Sequence, residues 1–142
     1  VFVTPDKDRM TGHCARPVGL IDIYPTLVEL CGLPAKDDLQ GRSLVPLLKD
    51  PAAEWDHPAV TTHHPGNHAV RTERWRYIQY ANGDRELYDH ESDPYEWHNL
   101  AEDPKYAHVI AELQAHVPKD NAPYAPKLPR NTYTQEFDWS KP

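Results

Sequence analysis

Apolar and polar positions along the chain change period several times, and each change marks an element. From Ala59 to Asp89 the pattern suits strands. Ala59 to Thr62 forms one, followed by a loop over His63-His64-Pro65-Gly66-Asn67-His68. Ala69, Val70 and Thr72 suit a second; Trp75, Tyr77, Ile78 and Tyr80 a third; Glu86-Leu87-Tyr88-Asp89 a fourth, because β-branched and aromatic side chains pack well on a pleated surface. Asn82-Gly83 supplies two residues that tolerate positive φ, as a tight hairpin requires. Asp93-Pro94 closes the run, since proline has no N–H for a ladder and restrains the residue before it.

Elsewhere the period is helical. Leu20 to Leu33 reads as a helix with Asp22 as its cap and Pro25 in its first turn. Ile23, Leu27, Leu30 and Cys31 make its expected buried face, with Tyr24 and Val28 beside it, and Gly32 and Pro34 stop it. Ser43 caps a short turn whose leucines face inward. Asp103-Pro104 opens the last helix, with Tyr106, Val109, Ile110, Leu113 and Val117 on one side and Pro118 as its end. Val1-Phe2-Val3 reads as a strand of a larger sheet. Residues 119–142 form a proline-rich polar tail, whose Tyr124, Tyr133, Phe137 and Trp139 suit anchoring along another surface.

The expected fold is α+β: a small antiparallel sheet of about four strands covered on one face by the helix from Pro104. Residues 1–50 read as an edge strand, helix and connection from the end of another domain. Residues 51–118 read as the subdomain proper. The apolar start at Val1 is expected to reflect a fragment whose N-terminal partner lies outside the sequence.

Composition narrows the functions. At 142 residues the chain can hold one core. A formal charge of -7 argues against a nucleic-acid backbone as partner. No run has the length of a membrane span and no signal peptide is visible. Fifteen prolines against six glycines indicate stiff connections. The two cysteines, Cys14 and Cys31, form no Cys-x-x-Cys pair and no disulfide framework.

Motifs point further. Ala69-Val70-Arg71-Thr72, then Trp75-Arg76-Tyr77-Ile78, then Glu86-Leu87-Tyr88-Asp89, then Asp-Pro-x-Glu-x-x-Asn-Leu from Asp93 resemble, in order and spacing, the C-terminal subdomain of type I sulfatases. Within that alkaline-phosphatase-like superfamily the likeness is to the iduronate-2-sulfatase-like branch found in bacteria. Asp22-Ile23-Tyr24-Pro25 through Pro34, and Gly-x-Ser-Leu-x-Pro-Leu-Leu from Gly41, resemble the preceding segments of the same family.

The resemblance implies a hydrolase for sulfate esters on sulfated sugars, such as glycosaminoglycans or other sulfated polysaccharides. It implies formylglycine, calcium and a secreted or periplasmic setting for the whole protein. The formylglycine precursor motif Cys/Ser-x-Pro/Ala-x-Arg is absent: Cys14 is followed by Ala15-Arg16-Pro17, and Cys31 by Gly32-Leu33-Pro34. No catalytic residue, no metal ligand and no cofactor is therefore assigned to this chain. The partner expected is an N-terminal catalytic domain. The alternatives are a non-catalytic interaction module or remnant, and a phosphate- or phosphonate-ester hydrolase of the same superfamily.

Thr-His-x-Pro-Gly-Asn-His-Ala-Val-Arg from Thr62 also resembles that branch, and the resemblance implies that the candidate substrate-binding residues His63, His64, Asn67, His68 and Arg71 stand at the rim of the substrate pocket, with imidazole, amide and guanidinium donors facing an anionic sugar. Adjacent histidines rarely converge on one ion, so a metal site is not assigned to them. The plainer reading of the loop is a solvated turn in which Gly66 and Asn67 satisfy local geometry. Arg74, Arg76 and Arg85 are read with Arg71 as a basic face or as ion pairs with Glu73, Asp84 or Glu86. Trp75, Tyr77 and Tyr88 are expected in the core.

Overall fold

A computed structural model describes residues 12–123. The expected strand at Val1, and the tail beyond residue 123 with its four aromatics, lie outside the described residues. Strands β1 (Ala59–Thr62), β2 (His68–Arg71), β3 (Trp75–Gln79) and β4 (Arg85–Asp89) form one antiparallel sheet in sequence order. Helices α1 (Ile23–Leu30) and α2 (Val45–Lys49) precede it, and α3 (Ala107–Gln114) follows.

Period-2 alternation divides the sheet into two unlike faces. Val70, Tyr77 and Leu87 point to one side and are fully buried with Ala101, Val109, Ile110 and Leu113. Val60, Trp75, Leu100, Tyr106 and Val117 close that core at its edge. The helix from Pro104 thus covers the sheet as its pattern requires. Asp103 accepts from the Lys105 amide at its start, and Pro104 begins a 3-10 turn before α3.

Tyr88 departs from the expected core. Leu87 is the inward residue of β4, so its neighbour Tyr88 emerges on the opposite face, across from Arg76. Arg74 leans over the Trp75 ring, 4.7 Å from its centroid, and donates two hydrogen bonds of 2.9 and 2.8 Å to the Asp89 carboxylate. Those bonds hold the Asp89 carboxyl below its ordinary range.

The β3–β4 turn also differs from expectation. Gly83 alone has positive φ, at 95°, and Asn82 does not. The Gly83 amide donates to the Tyr80 carbonyl at 3.0 Å, and the Tyr80 amide to the Asp84 carbonyl at 3.0 Å. This is a three-residue loop with one left-handed residue, instead of a two-residue turn with two. Asn82 serves through its side chain, accepting from the Asp84 amide at 3.0 Å. Gly83→Val is expected to destabilise the sheet by about 1 kcal/mol or more, because a β-branched residue resists that φ. Faster amide exchange along β3 and β4 is the measurement.

Before the sheet, α1 begins with a 3-10 turn at Leu20–Asp22 and ends at Leu30. Gly32, at φ 62°, then caps it: its amide reaches the Glu29 carbonyl, and the Leu33 amide reaches that of Val28. Asp22 does not cap α1 by a side-chain bond. It is buried, and its carboxylate accepts from the Gly19 and Arg42 amides, both at 2.8 Å. Thr26 continues the line, accepting from the Leu44 amide at 2.9 Å. The segment from Gly41 to Leu44 is thereby strapped onto α1, and Leu44, Val45 and Leu47 are buried with Val28.

The expected buried face of α1 is a correction. Ile23, Leu27, Leu30 and Cys31 are exposed, as are Leu20, Ile21, Tyr24 and Leu33. The strap engages the polar line of Asp22 and Thr26, and the apolar face meets no packed core among the described residues. No helix of the described residues is long and apolar enough to cross a membrane.

Candidate functional site

The five candidate residues flank a single hairpin, but β2 divides them between its two faces. His63 and His64 are exposed, with their rings 4.2 Å apart and edge to face. His64 and Gly66 both have positive φ, and the His63 amide donates to the Asn67 carbonyl at 3.0 Å. Asn67 ties this loop to the next turn, accepting from the Ala81 amide at 3.2 Å. A Cβ at Gly66 would lie 3.0 Å from that of Ala81, so the two turns are in direct contact. Gly66 and Asn67 therefore serve the turn geometry that the plainer reading gives them.

His68 starts β2 on the helix-covered side and is only 3% exposed. Its Nδ1 lies 2.9 Å from the Thr62 hydroxyl, and its Nε2 is buried with no hydrogen-bond partner among the described residues. Arg71 alternates to the open face, away from His68. The pairing places Arg71 opposite Arg76, and Arg76 opposite Tyr88, so one row crosses three strands.

Two guanidinium groups side by side repel, and the row requires a counter-charge. Glu96 supplies it. Its carboxylate accepts from Arg76 at 2.7 Å and lies 2.6 Å from His90 Nε2. Burial alone would raise the Glu96 carboxyl, but these two hydrogen bonds outweigh it and hold it below the usual range. Arg71 is left less well served: burial lowers its pKa against the pull of Glu96, and its Nη1 is buried without a hydrogen-bond partner among the described residues.

Beside this row, Glu86 accepts from the Tyr80 and Tyr88 hydroxyls, each at 2.9 Å. Burial and then the Glu86 carboxylate push the Tyr88 phenol up to about 12. Tyr88 is accordingly a neutral donor at physiological pH. On this face Arg71 Nη1 is a buried donor that no group among the described residues takes.

The arginines do not pair as the sequence suggests. Arg16, and not a sheet arginine, takes Glu73. Arg74 pairs with Asp89 and Glu91, and Arg76 with Glu96. Glu96 appears in the sequence only as part of the Asp-Pro-x-Glu motif, and nothing in a linear reading joins it to His90 or Arg76. They meet because the Asp93-Pro94 bend folds the following loop back over β4. The positive φ of Glu96, 58°, is the local mark of that bend.

Among the described residues no three His, Cys, Asp or Glu side chains gather as a metal would need. Neither cysteine stands in the formylglycine precursor motif. The residues present do not fit the implied calcium or formylglycine, and no step through either is assigned to this chain.

Comparison with known proteins completes the description. The family of N-sulphoglucosamine sulphohydrolase C-terminal regions matches residues 3–122. A sulfatase of Formosa agariphila is 44% identical over 106 residues, 75% of this chain and 21% of the relative. A Delta 4,5-hexuronate-2-O-sulfatase of Bacteroides thetaiotaomicron is 37% identical over 67% of this chain and 22% of its own length. A solved 2-O GAG sulfatase superposes with a TM-score of 0.56 at 34% identity, over 66% of this chain and 22% of that one. The chain thus spans about a fifth of the curated relatives it matches.

Proposed function

This chain belongs to the C-terminal family of N-sulphoglucosamine sulphohydrolases, and from that premise we propose that it is the C-terminal subdomain of a sulfatase hydrolysing sulfate esters on sulfated sugars. The observation that carries the proposal is the family match across residues 3–122, which includes the whole sheet and α3. A 2-O-sulfated hexuronate is the favoured target, because the Bacteroides relative is named for that activity.

On this reading residues 1–50 belong to the end of the catalytic domain, 51–118 form the subdomain and 119–142 are a tail. The exposed apolar face of α1 is the seam with the catalytic domain. Formylglycine and calcium belong to that domain, and the whole protein is secreted or periplasmic.

The subdomain's part in the reaction is to bind substrate at the pocket rim. Arg71 offers its guanidinium to a sulfate or carboxylate, and His63, His64 and Asn67 present the loop at the opposite end of β2. His68 is buried, so its role is to position that loop through Thr62.

Arg71→Gln in the longest polypeptide encoded around this chain is expected to lower kcat/KM on a 2-O-sulfated hexuronate disaccharide about tenfold, the equivalent of about 1.4 kcal/mol. The effect should fall mainly on KM, because the group binds and does not react. Arg71→Lys should recover part of the loss, keeping charge without the planar fork. Unchanged kinetics in Arg71→Gln would remove Arg71 from the rim.

A further inference from the structure

The β3–β4 turn carries a reactive dipeptide as well as a fold signal. Asparagine is a chemically labile residue, and Asn82 is the one asparagine of the sequence that precedes a glycine. In an Asn-Gly pair the following backbone nitrogen can attack the side-chain carbonyl, because glycine has no Cβ to hinder the approach. Asn82 and Gly83 are both exposed, and a Cβ at Gly83 would meet nothing within 4 Å. Water therefore reaches both residues.

The folded turn holds every group the reaction needs. The Gly83 amide, which would attack, donates to the Tyr80 carbonyl at 3.0 Å. The Asn82 carboxamide is gripped at both ends by one residue. Its Nδ2 donates to the Asp84 carboxylate at 2.7 Å, and its Oδ1 accepts from the Asp84 amide at 3.0 Å. Attack requires the carboxamide to swing toward the Gly83 nitrogen and the Gly83 N–H to give up its proton. The swing breaks both bonds to Asp84, and the proton's departure breaks the bond to Tyr80. The bond to the Asp84 carboxylate is charge-assisted and short, so it is the strongest of the three.

We infer that Asn82 is a deamidation site latched by Asp84, which reacts when the β3–β4 turn opens. In the step, the Gly83 nitrogen bonds to Asn82 Cγ and loses its proton, the Cγ–Nδ2 bond breaks, and Nδ2 departs as ammonia with one proton gained. The cyclic imide takes up one water. Hydrolysis at Cγ gives aspartate, and hydrolysis at the backbone carbonyl gives isoaspartate.

The product does not restore the latch. A carboxylate at position 82 faces Asp84 across what was a 2.7 Å hydrogen bond. It also joins Asp84, Glu86 and Glu102 around one surface hollow whose one basic side chain is Arg85, and like charges gathered there repel. Isoaspartate further lengthens the backbone between Tyr80 and Asp84, whose amide and carbonyl close the loop. The loosening reaches the loop after β1, because the Ala81 amide donates to Asn67 Oδ1 at 3.2 Å. The modification thus follows opening of the turn and keeps it open.

The test incubates the longest polypeptide encoded around this chain at neutral pH, folded and in urea, and follows position 82 by peptide mass mapping and isoaspartyl methyltransferase labelling. Conversion should be about tenfold or more slower in the folded protein than in urea. Asp84→Ala should speed the folded protein about tenfold, the weight of one charge-assisted hydrogen bond, and leave the rate in urea unchanged. Asp84→Asn, which keeps an acceptor, should fall between. Asn82→Asp, the product made directly, should speed amide exchange at Ala81 and Gly83 and leave Val70 unchanged. Equal rates in the folded and urea-treated wild type would overturn the latch. So would a folded Asp84→Ala that reacts no faster than the wild type, or one that is faster by the same factor in urea. No conversion in urea would overturn the site itself, and wild-type exchange in Asn82→Asp would overturn the claim that the product stays open.

Discussion

Replacing Tyr77 by alanine is expected to cost about 3–5 kcal/mol, enough to unfold the sheet layer. Tyr77 is fully buried at the centre of β3, between Val70 on β2 and Leu87 on β4, beneath α3. Truncation opens a cavity that two neighbouring strands and a helix cannot close together. Tyr77→Phe separates volume from polarity. The hydroxyl donates one long hydrogen bond, 3.2 Å, to Gln79, which also accepts from Gln114 at 3.3 Å. Its loss should cost about 1 kcal/mol or less, because the ring remains and Gln79 keeps a donor. Chemical denaturation, followed by near-ultraviolet circular dichroism, checks both. Similar midpoints for Tyr77→Ala and the wild type would contradict the core as described.

Gly41→Ala should destabilise by about 3 kcal/mol, for a steric reason that no rotamer can relieve. A Cβ at position 41 would lie 2.2 Å from the Ile21 carbonyl oxygen and 2.7 Å from its carbon. Both are backbone atoms, so relief requires moving the strap or the start of α1. Moving the strap breaks the Arg42 amide bond to Asp22 and the Leu44 amide bond to Thr26, which leaves a buried carboxylate short of a donor. Amide exchange at residues 42–48 should accelerate strongly, while exchange in β3 should change little. Protection at 42–48 equal to that of the wild type would refute the close approach.

The meander was legible because its signals are local. Alternation placed Trp75 and Tyr77 on the inward side of β3, and Asp103-Pro104 announced the last helix. The α1 face misled for a physical reason. Periodicity reports that a surface is apolar, and cannot report whether its cover is in the same chain. The same logic explains Asp22, which was legible as a helix start but serves the Gly19 and Arg42 amides.

The candidate site was partly legible. The loop from His63 to His68 was visible as a cluster, yet register decides which side of the sheet each member takes, and His68 and Arg71 diverge there. Glu96 was visible as a motif residue but its role was not, because its partners, Arg76 and His90, are brought to it by the bend after Asp93. The spare Nη1 of Arg71 depends on where Glu96 goes, and so was also beyond a linear reading.

The central claim is that this chain is the substrate-facing, non-catalytic end of a sulfatase. It is tested most directly by measuring sulfate release from a 2-O-sulfated hexuronate disaccharide, with the longest polypeptide encoded around this chain beside the chain alone, and a phosphonate monoester as a parallel substrate. The account predicts sulfate release by the longer polypeptide, none above a heat-killed control by the chain alone, and weaker action on the phosphonate. Sulfate release by the purified chain alone, or a longer polypeptide that cleaves the phosphonate and leaves the sulfated sugar intact, would contradict it.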